Sequence, residues 1–203
     1  MTRIAVGWKS WVVVLAVVGG TIWTAGCGAP PPVAAPTSYV AFNHKEGTFA
    51  CEYPDGWEAD GGGKHGQIWA TFESGPAEIR LRGDVAGSLM GDAMGGRHQS
   101  DLPPELQPVH LVHVDAQEAA QDDYAGYQEV GQPQVFEVSL GPARVSEFTA
   151  STTFGSGLHG YRLTVLGHNK RVTGFLICPE SDWQALQPAF DHTMSTLKRG
   201  IAE

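Results

Sequence analysis

The spacing of apolar and polar residues changes several times along this chain, and its clearest changes lie near the end. Tyr161, Leu163 and Val165 alternate with Arg162, Thr164 and Leu166, the two-residue repeat of a strand with one face on a core. Gly167 to Lys170 supply a turn, and the return run Arg171 to Cys178 is apolar on both faces, as suits an interior strand covered above and below. Pro179 ends that run. Trp183, Leu186, Phe190, Met194 and Leu197 then recur at helical spacing, with Pro188 placed to open a second helical segment.

Upstream, Tyr39–Phe42 reads as an edge strand and Thr48–Tyr53 as its alternating neighbour, followed by the turn Pro54-Asp55-Gly56 and an apolar plug, Trp57. Asp60–Gly66 holds four glycines and reads as a flexible loop. Gln67–Phe72 and Ala77–Leu81 are further strands, Val85–Met94 a short helix, and Arg97–Pro108 a loop with three prolines. Val109, Val112, Ala116, Ala119, Ala120 and Tyr127 trace one stripe, which predicts a single helix over Val109–Tyr127. Val135–Leu140 and Arg144–Thr152 complete a meander. Strands joined by short Gly/Pro turns must be antiparallel. The predicted class is therefore α+β, an antiparallel sheet covered by the Val109 and Phe190 helices.

The first residues change the picture. Arg3 and Lys9 precede a charge-free apolar run, Trp11–Ala25, interrupted by Gly19 and Gly20. It is too short to span a bilayer comfortably and has the form of a secretory signal. The run stops at Thr24-Ala25-Gly26-Cys27, which resembles the lipobox of bacterial lipoproteins, in which small residues precede an acylated cysteine; the departure is Thr24, where that pattern usually has Leu. The expected organisation is a signal peptide over 1–26, an acylated Cys27 with a Pro/Ala-rich tether over 27–38, and a domain over 39–199. An ordinary secreted chain with an incidental Cys27, or a retained N-terminal helix, are the alternatives. Residues Gly28–Ser38 carry no charge and four prolines, the composition of a semi-extended spacer.

Charge then excludes one class of partner. The chain of 203 residues has 13 basic and 22 acidic residues and a net charge of −9, which becomes −11 once Arg3 and Lys9 leave with the leader. Binding nucleic acid needs a basic stripe, and no such cluster occurs. The same acidity argues against an electrostatic hold on anionic lipid and leaves acylation as the membrane device.

Tyr53-Pro54-Asp55-Gly56-Trp57 after an alternating strand, Gly160-Tyr161-Arg162 opening the late hairpin, and Trp183, Pro188, Phe190 and Leu197 in the terminal helix together resemble the PsbP-like superfamily. That group includes the extrinsic PsbP protein of photosystem II, a Ran-binding nuclear transport factor and many bacterial lipoproteins. The resemblance covers about Tyr39 to Leu197. It implies a PsbP-like α/β/α sandwich acting as a binding or accessory module without catalysis and without a cofactor, and it transfers no functional residue.

Candidate chemistry in the residues themselves is sparse. Cys51 and Cys178 are an even pair once Cys27 is acylated, and either close a disulfide or lie as two buried thiols. His110 and His113 share a side of a helix near Asp115, a weak metal candidate because no third ligand stands at zinc spacing; surface histidines are the expectation. His159 and His168 fall at turn positions. Phe154-Gly155-Ser156-Gly157-Leu158 lacks the spacing of a nucleophile elbow, and Gly61-Gly62-Gly63-Lys64 that of a phosphate loop. Glu147, near Arg144 and Ser146, reads as a solvated or paired carboxylate, and Arg82-Gly83-Asp84 would matter only on an exposed loop. The expected function is a membrane-anchored bacterial lipoprotein whose noncatalytic domain faces the periplasm or exterior and contacts an unidentified protein or small molecule. The alternative is a secreted or periplasmic metal-binding or hydrolytic protein using the His cluster.

Overall fold

A computed structural model describes residues 33–64, 66–84, 101–167 and 170–202. The leader, Cys27, the start of the spacer, the helix expected over Val85–Met94, and His168 lie outside them. The elements are β1 (Tyr39–Asn43), β2 (Ala50–Pro54), β3 (Glu58–Lys64), β4 (Gln67–Ser74), β5 (Ala77–Asp84), α1 (Pro108–Asp115), α2 (Gln117–Asp123), β6 (Ala125–Glu129), β7 (Gln134–Val138), β8 (Gly141–Ser151), β9 (Gly157–Leu166), β10 (Arg171–Pro179) and α3 (Trp183–Ser195). Short 3-10 turns at Pro104–Leu106 and Glu180–Asp182 lead into α1 and α3.

The strands do not form one continuous sheet. β1 and β2 pair only with each other, while the rest make an antiparallel sheet in the order β3-β4-β5-β10-β9-β8, with β6 and β7 sharing the outer edge of β8. The separation has a local cause. The second edge of β2 is taken by the C-terminal tail, because Ala50 and Lys198 exchange two backbone hydrogen bonds of 2.9 Å, and Asn43 clasps the Ile201 backbone at 2.7 and 2.9 Å. β2 thus has no free edge to offer β3.

Three other expectations are corrected. The stretch Asp60–Gly66 is mostly strand: β3 pairs with β4 from Glu58↔Glu73 to Lys64↔Gln67. Its glycines serve close packing, since a Cβ at Gly62 would stand 3.1 Å from the Trp69 indole and one at Gly61 3.3 Å from the Phe42 ring. The single helix over Val109–Tyr127 breaks into α1 and α2 and ends at Tyr124, which is extended. Asp122 and Asp123 oppose the negative end of the helix dipole there, and Gly126 turns the chain at φ 65° into β6. Pro188 lies inside one continuous helix, α3, on its exposed side, where water can reach the carbonyl its missing N–H leaves free.

Period-two alternation sorts the sheet into two faces. Ile79, Leu81, Leu163, Val165, Val172, Leu176 and Cys178 point to one face, where Phe49 and Cys51 of β2, Trp57, and Leu186, Phe190 and Leu197 at the chain's end close the main core. Each such large side chain contributes about 1.5–3 kcal/mol by leaving water. Val33, midway along the expected spacer, also packs on this core. On the other face a smaller cluster of Ala120, Tyr127, Phe148, Ala150 and Ile177 lies beneath α2. The result is the expected α/β/α sandwich, α3 on one side and α1 with α2 on the other.

Gly160 shows how closely β9 and β10 approach. A Cβ there would run into the Leu176 carbonyl and stand 2.8 Å from the Ile177 side chain. Gly160→Ala is expected to cost about 1–3 kcal/mol through overpacking, read as a lower urea midpoint at unchanged slope.

Candidate binding face

Beneath α1 the alternation of β8 and β9 places Arg144, Ser146, Arg162 and Thr164 on a face that is not solvated. All four are at most 3 % exposed, and His113 of α1 is 0 % exposed. The His113 Nδ1 lies 2.9 Å from Thr164 Oγ1 and its Nε2 2.9 Å from Ser146 Oγ. Ser146 in turn donates to Glu129 Oε2 at 2.9 Å. Tyr127 donates to Glu129 Oε1 at 2.8 Å, and Arg162 grips Glu129, the Tyr127 hydroxyl and the His113 carbonyl.

These contacts determine where the protons sit. Ser146 gives its proton to the carboxylate and therefore accepts from His113, which carries its hydrogen on Nε2 and accepts from Thr164 at Nδ1. The imidazole is neutral. Burial, followed by the positive neighbours Arg162, His110 and Arg144, pushes its pKa down to about 3. Burial works to raise Glu129, but the hydrogen bonds from Arg162, Tyr127 and Ser146, with the Arg162 charge, hold it below the ordinary carboxylate range.

A hydroxyl, an imidazole and a carboxylate thus meet, but in an order that does not activate the hydroxyl. In a Ser-His-Asp arrangement the imidazole stands between carboxylate and hydroxyl and takes the serine proton. Here Ser146 stands between Glu129 and His113, its proton already directed to the carboxylate, and 3 % of the residue is exposed. The expected surface position of His113 is corrected accordingly. His110 is half-buried on α1, and both ring nitrogens of His113 are occupied, so the pair does not form a metal site. Among the described residues no group of three or more His, Cys, Asp or Glu side chains is placed to hold a metal ion.

Arg144 is wholly buried against neutral acceptors only, donating to Ala143 O, Pro104 O at 2.8 Å and Gln107 Oε1 at 2.9 Å, and burial lowers its pKa. It pins the 3-10 turn before α1 to β8. Glu147 is paired, bonding His159 Nε2 at 2.8 Å, while Glu180 meets Nδ1 at 3.0 Å and Trp183 stacks on the ring at 3.9 Å. His159 is therefore a strand residue of the interior, and no turn position. Its two carboxylates stand at opposite nitrogens and do not converge on a common point. Cys51 and Cys178 are separate thiols, both buried, each pushed up to about 12 chiefly by burial; of the two readings left open by the sequence, the disulfide is not formed. Arg82-Gly83-Asp84 lies within β5 between β4 and β10, with Gly83 buried, and so is no exposed loop.

The accessible chemistry lies beside this sealed seam. α1 and α2 cover the β8–β9 half of the face, and among the described residues no helix covers the β4–β5 half. Arg82 stands there opposite Trp69 on β4 and Thr173 on β10, and Arg80 opposite Thr71 and Phe175. The open hollow bounded by Trp69, Thr71, Arg80, Arg82, Arg171 and Thr173 measures about 610 Å³. A second, of about 190 Å³, runs from Arg80 and Arg82 under α2 toward Ala116, Ala119, Ala120 and Phe175. Arg80 is held by both oxygens of Glu78 at 2.8 Å, and Arg171 by Asp84 at 2.7 Å. Arg82 is exposed and has no ion-pair partner among the described residues. Alternation in β4, β5 and β10 was the sequence signal for this face; its openness depends on the length of α1 and α2.

The comparisons with known proteins bear on the fold. The chain is similar to the solution structure of cyanobacterial PsbP (CyanoP) from Synechocystis sp. PCC 6803, with TM-score 0.55 and 13 % identity over 86 % of this chain and 98 % of that one. The fold is therefore PsbP-like. A Pseudomonas aeruginosa protein of unknown function gives TM-score 0.42 at 18 % identity over 78 % of this chain and 94 % of that one. A Bacteroides thetaiotaomicron protein gives 0.48 at 10 % over 79 % and 48 %. No family model and no curated protein matches the chain.

The buried neutral His113 has a consequence for stability. The unfolded imidazole takes up a proton below about 6.5 and the folded one only near 3. The unfolded state therefore binds more protons between these values, and stability falls as pH drops through that window, by up to about 1.4 kcal/mol per pH unit from this group. Urea titrations from pH 7 to pH 5 should show that slope, and His113→Gln should remove most of it while lowering stability at pH 7.

Proposed function

We propose that this chain is a noncatalytic binding or accessory domain, held at a bacterial membrane by an acylated Cys27, and that it works through the open half of its sheet. The observation that carries the reading is the contrast between the two halves of one sheet face. The half rich in hydroxyl, imidazole and carboxylate groups is sealed beneath α1, with its hydrogen bonds used internally. The other half presents to solvent Trp69, 39 % exposed, and Arg82, which has no ion-pair partner among the described residues. A large ring and an arginine on a concave polar surface are the residue types on which binding sites are commonly built.

The anchor rests on the sequence. A short apolar leader, small residues and Cys27 coincide, and a charge-free proline-rich spacer follows. One acyl chain gives only marginal membrane residence, so a stably held domain needs more than one. The domain would face the periplasm or the cell exterior at the reach of the spacer.

Mass spectrometry of the mature N-terminus and labelling with palmitate are expected to find an acylated Cys27, and Cys27→Ala to release a folded protein into the soluble fraction; an unmodified Cys27 on the mature protein refutes the anchor. A photo-crosslinking residue at Trp69 should form adducts in native membranes, and one at Ser195 on the opposite face should not. Equal labelling from both positions would refute the open face as the contact surface.

A further inference from the structure

We propose that the open face holds a small amphipathic anion, a carboxylate or phosphate monoester on a short apolar body, with the charged head at Arg82 and the body in the hollow under α2. The inference rests on the open-face reading above and assigns its ligand class. In a chain of net charge −9, three guanidinium groups stand together on this half-sheet; the nearest described acidic groups are Glu78, Asp84 and Asp123, with Glu73 beside Glu78 on β4 and Asp60 one strand further out on β3. Glu78 uses both oxygens on Arg80, and Asp84 binds two nitrogens of Arg171. Asp123 lies across the mouth, where its charge acts on Arg80. Arg82 has no ion-pair or hydrogen-bond partner for its guanidinium among the described residues and stands between the Thr173 and Trp69 positions of its neighbouring strands. An arginine fork matches the geometry of a carboxylate or phosphate.

The adjoining hollow determines what the anion carries. Its walls at Ala116, Ala119 and Ala120 are methyl groups and its floor includes Phe175, Leu163 and the bare backbone of Gly174, with Asp123, Arg162, Thr164 and Thr173 as its polar lining; the volume of about 190 Å³ suits a short aliphatic or ring-sized body. A bare inorganic ion would use the arginine and leave the apolar walls wet; a neutral alcohol would use the walls and leave Arg82 unsatisfied.

Calorimetric titration of the full-length protein in phosphatidylcholine vesicles, with butyl phosphate, pentanoate, inorganic phosphate and butanol as probes, tests the assignment. Butyl phosphate or pentanoate should bind at least about tenfold more tightly than butanol. Arg82→Gln should weaken that binding by about tenfold or more, and Lys198→Gln, on the far side of the domain, should not. Ala119→Phe, which fills the hollow, should weaken butyl phosphate and spare inorganic phosphate. Circular dichroism of each variant verifies the fold. Adding phosphatidic acid to the vesicles separates two sources of the same chemistry: displacement of butyl phosphate identifies a lipid headgroup as the occupant, and no displacement a free metabolite, either outcome supporting the anion. Butanol binding as tightly as butyl phosphate, Arg82→Gln behaving like Lys198→Gln, or no binding of any anion at millimolar concentration would overturn the proposal. Should the anions fail while Trp69 crosslinking persists, the open-face reading stands and only the ligand class falls.

Discussion

Burying the Arg162 guanidinium is the constraint on which the rest of this architecture depends. A charge 3 % exposed in the middle of a sheet face costs several kcal/mol unless it is paired and its donors are satisfied. Glu129 from β6, Tyr127 two residues earlier and the His113 carbonyl at the end of α1 supply those partners. Meeting this one requirement sets where α1 lies, brings β6 to the outer edge of β8, and orders the side chains around it. Removing Glu129 would leave the buried guanidinium without its counter-charge.

The seam also explains why a cluster of reactive side-chain types need not be reactive. Ser146, His113 and Glu129 are within hydrogen-bond distance in sequence, yet each donor already has its acceptor, and the imidazole is kept neutral by burial and by positive neighbours. Arg144 fastens the turn before α1 through its two terminal nitrogens, which bond backbone and amide oxygens, while its buried Nε has no partner among the described residues. Polar groups here specify the position of a helix. The apolar core on the other face, between the sheet and α3, supplies most of the drive to fold.

Positioning α1 and α2 over β8 and β9 leaves the β4–β5 half of a wide sheet without a helix among the described residues. That geometry turns an ordinary alternating strand into a surface with ligand-sized relief: Arg82 and Trp69 are adjacent because their strands are in register, and the methyl-lined hollow exists because α2 stands over Phe175 and Gly174. A PsbP-like fold does not by itself prescribe an occupant for such a face. What the domain binds is a matter of these side chains.

Elements held by local pattern were legible from the residues alone. Strands β4, β5, β8, β9 and β10 and helix α3 carry unbroken alternation or helical spacing between Gly/Pro turns, and their antiparallel pairing follows from turns too short for a crossover. β3 and β6 were not legible, because glycine in β3 serves the packing of Trp69 and Phe42, and because Tyr127 continues a helical stripe while its hydroxyl is needed by Glu129 and Arg162 in a strand. His159, Arg162 and Thr164 read as solvent-facing or turn residues for a related reason. Alternation tells which residues share a face, but whether water or another element lies against that face depends on partners tens of residues away. Sequence therefore determined most of the strands and their sense, and it carries the leader on which the proposed membrane address rests; only the tertiary structure decided which polar face was sealed and which was left open among the described residues, since that choice is made by long-range pairing of buried charge.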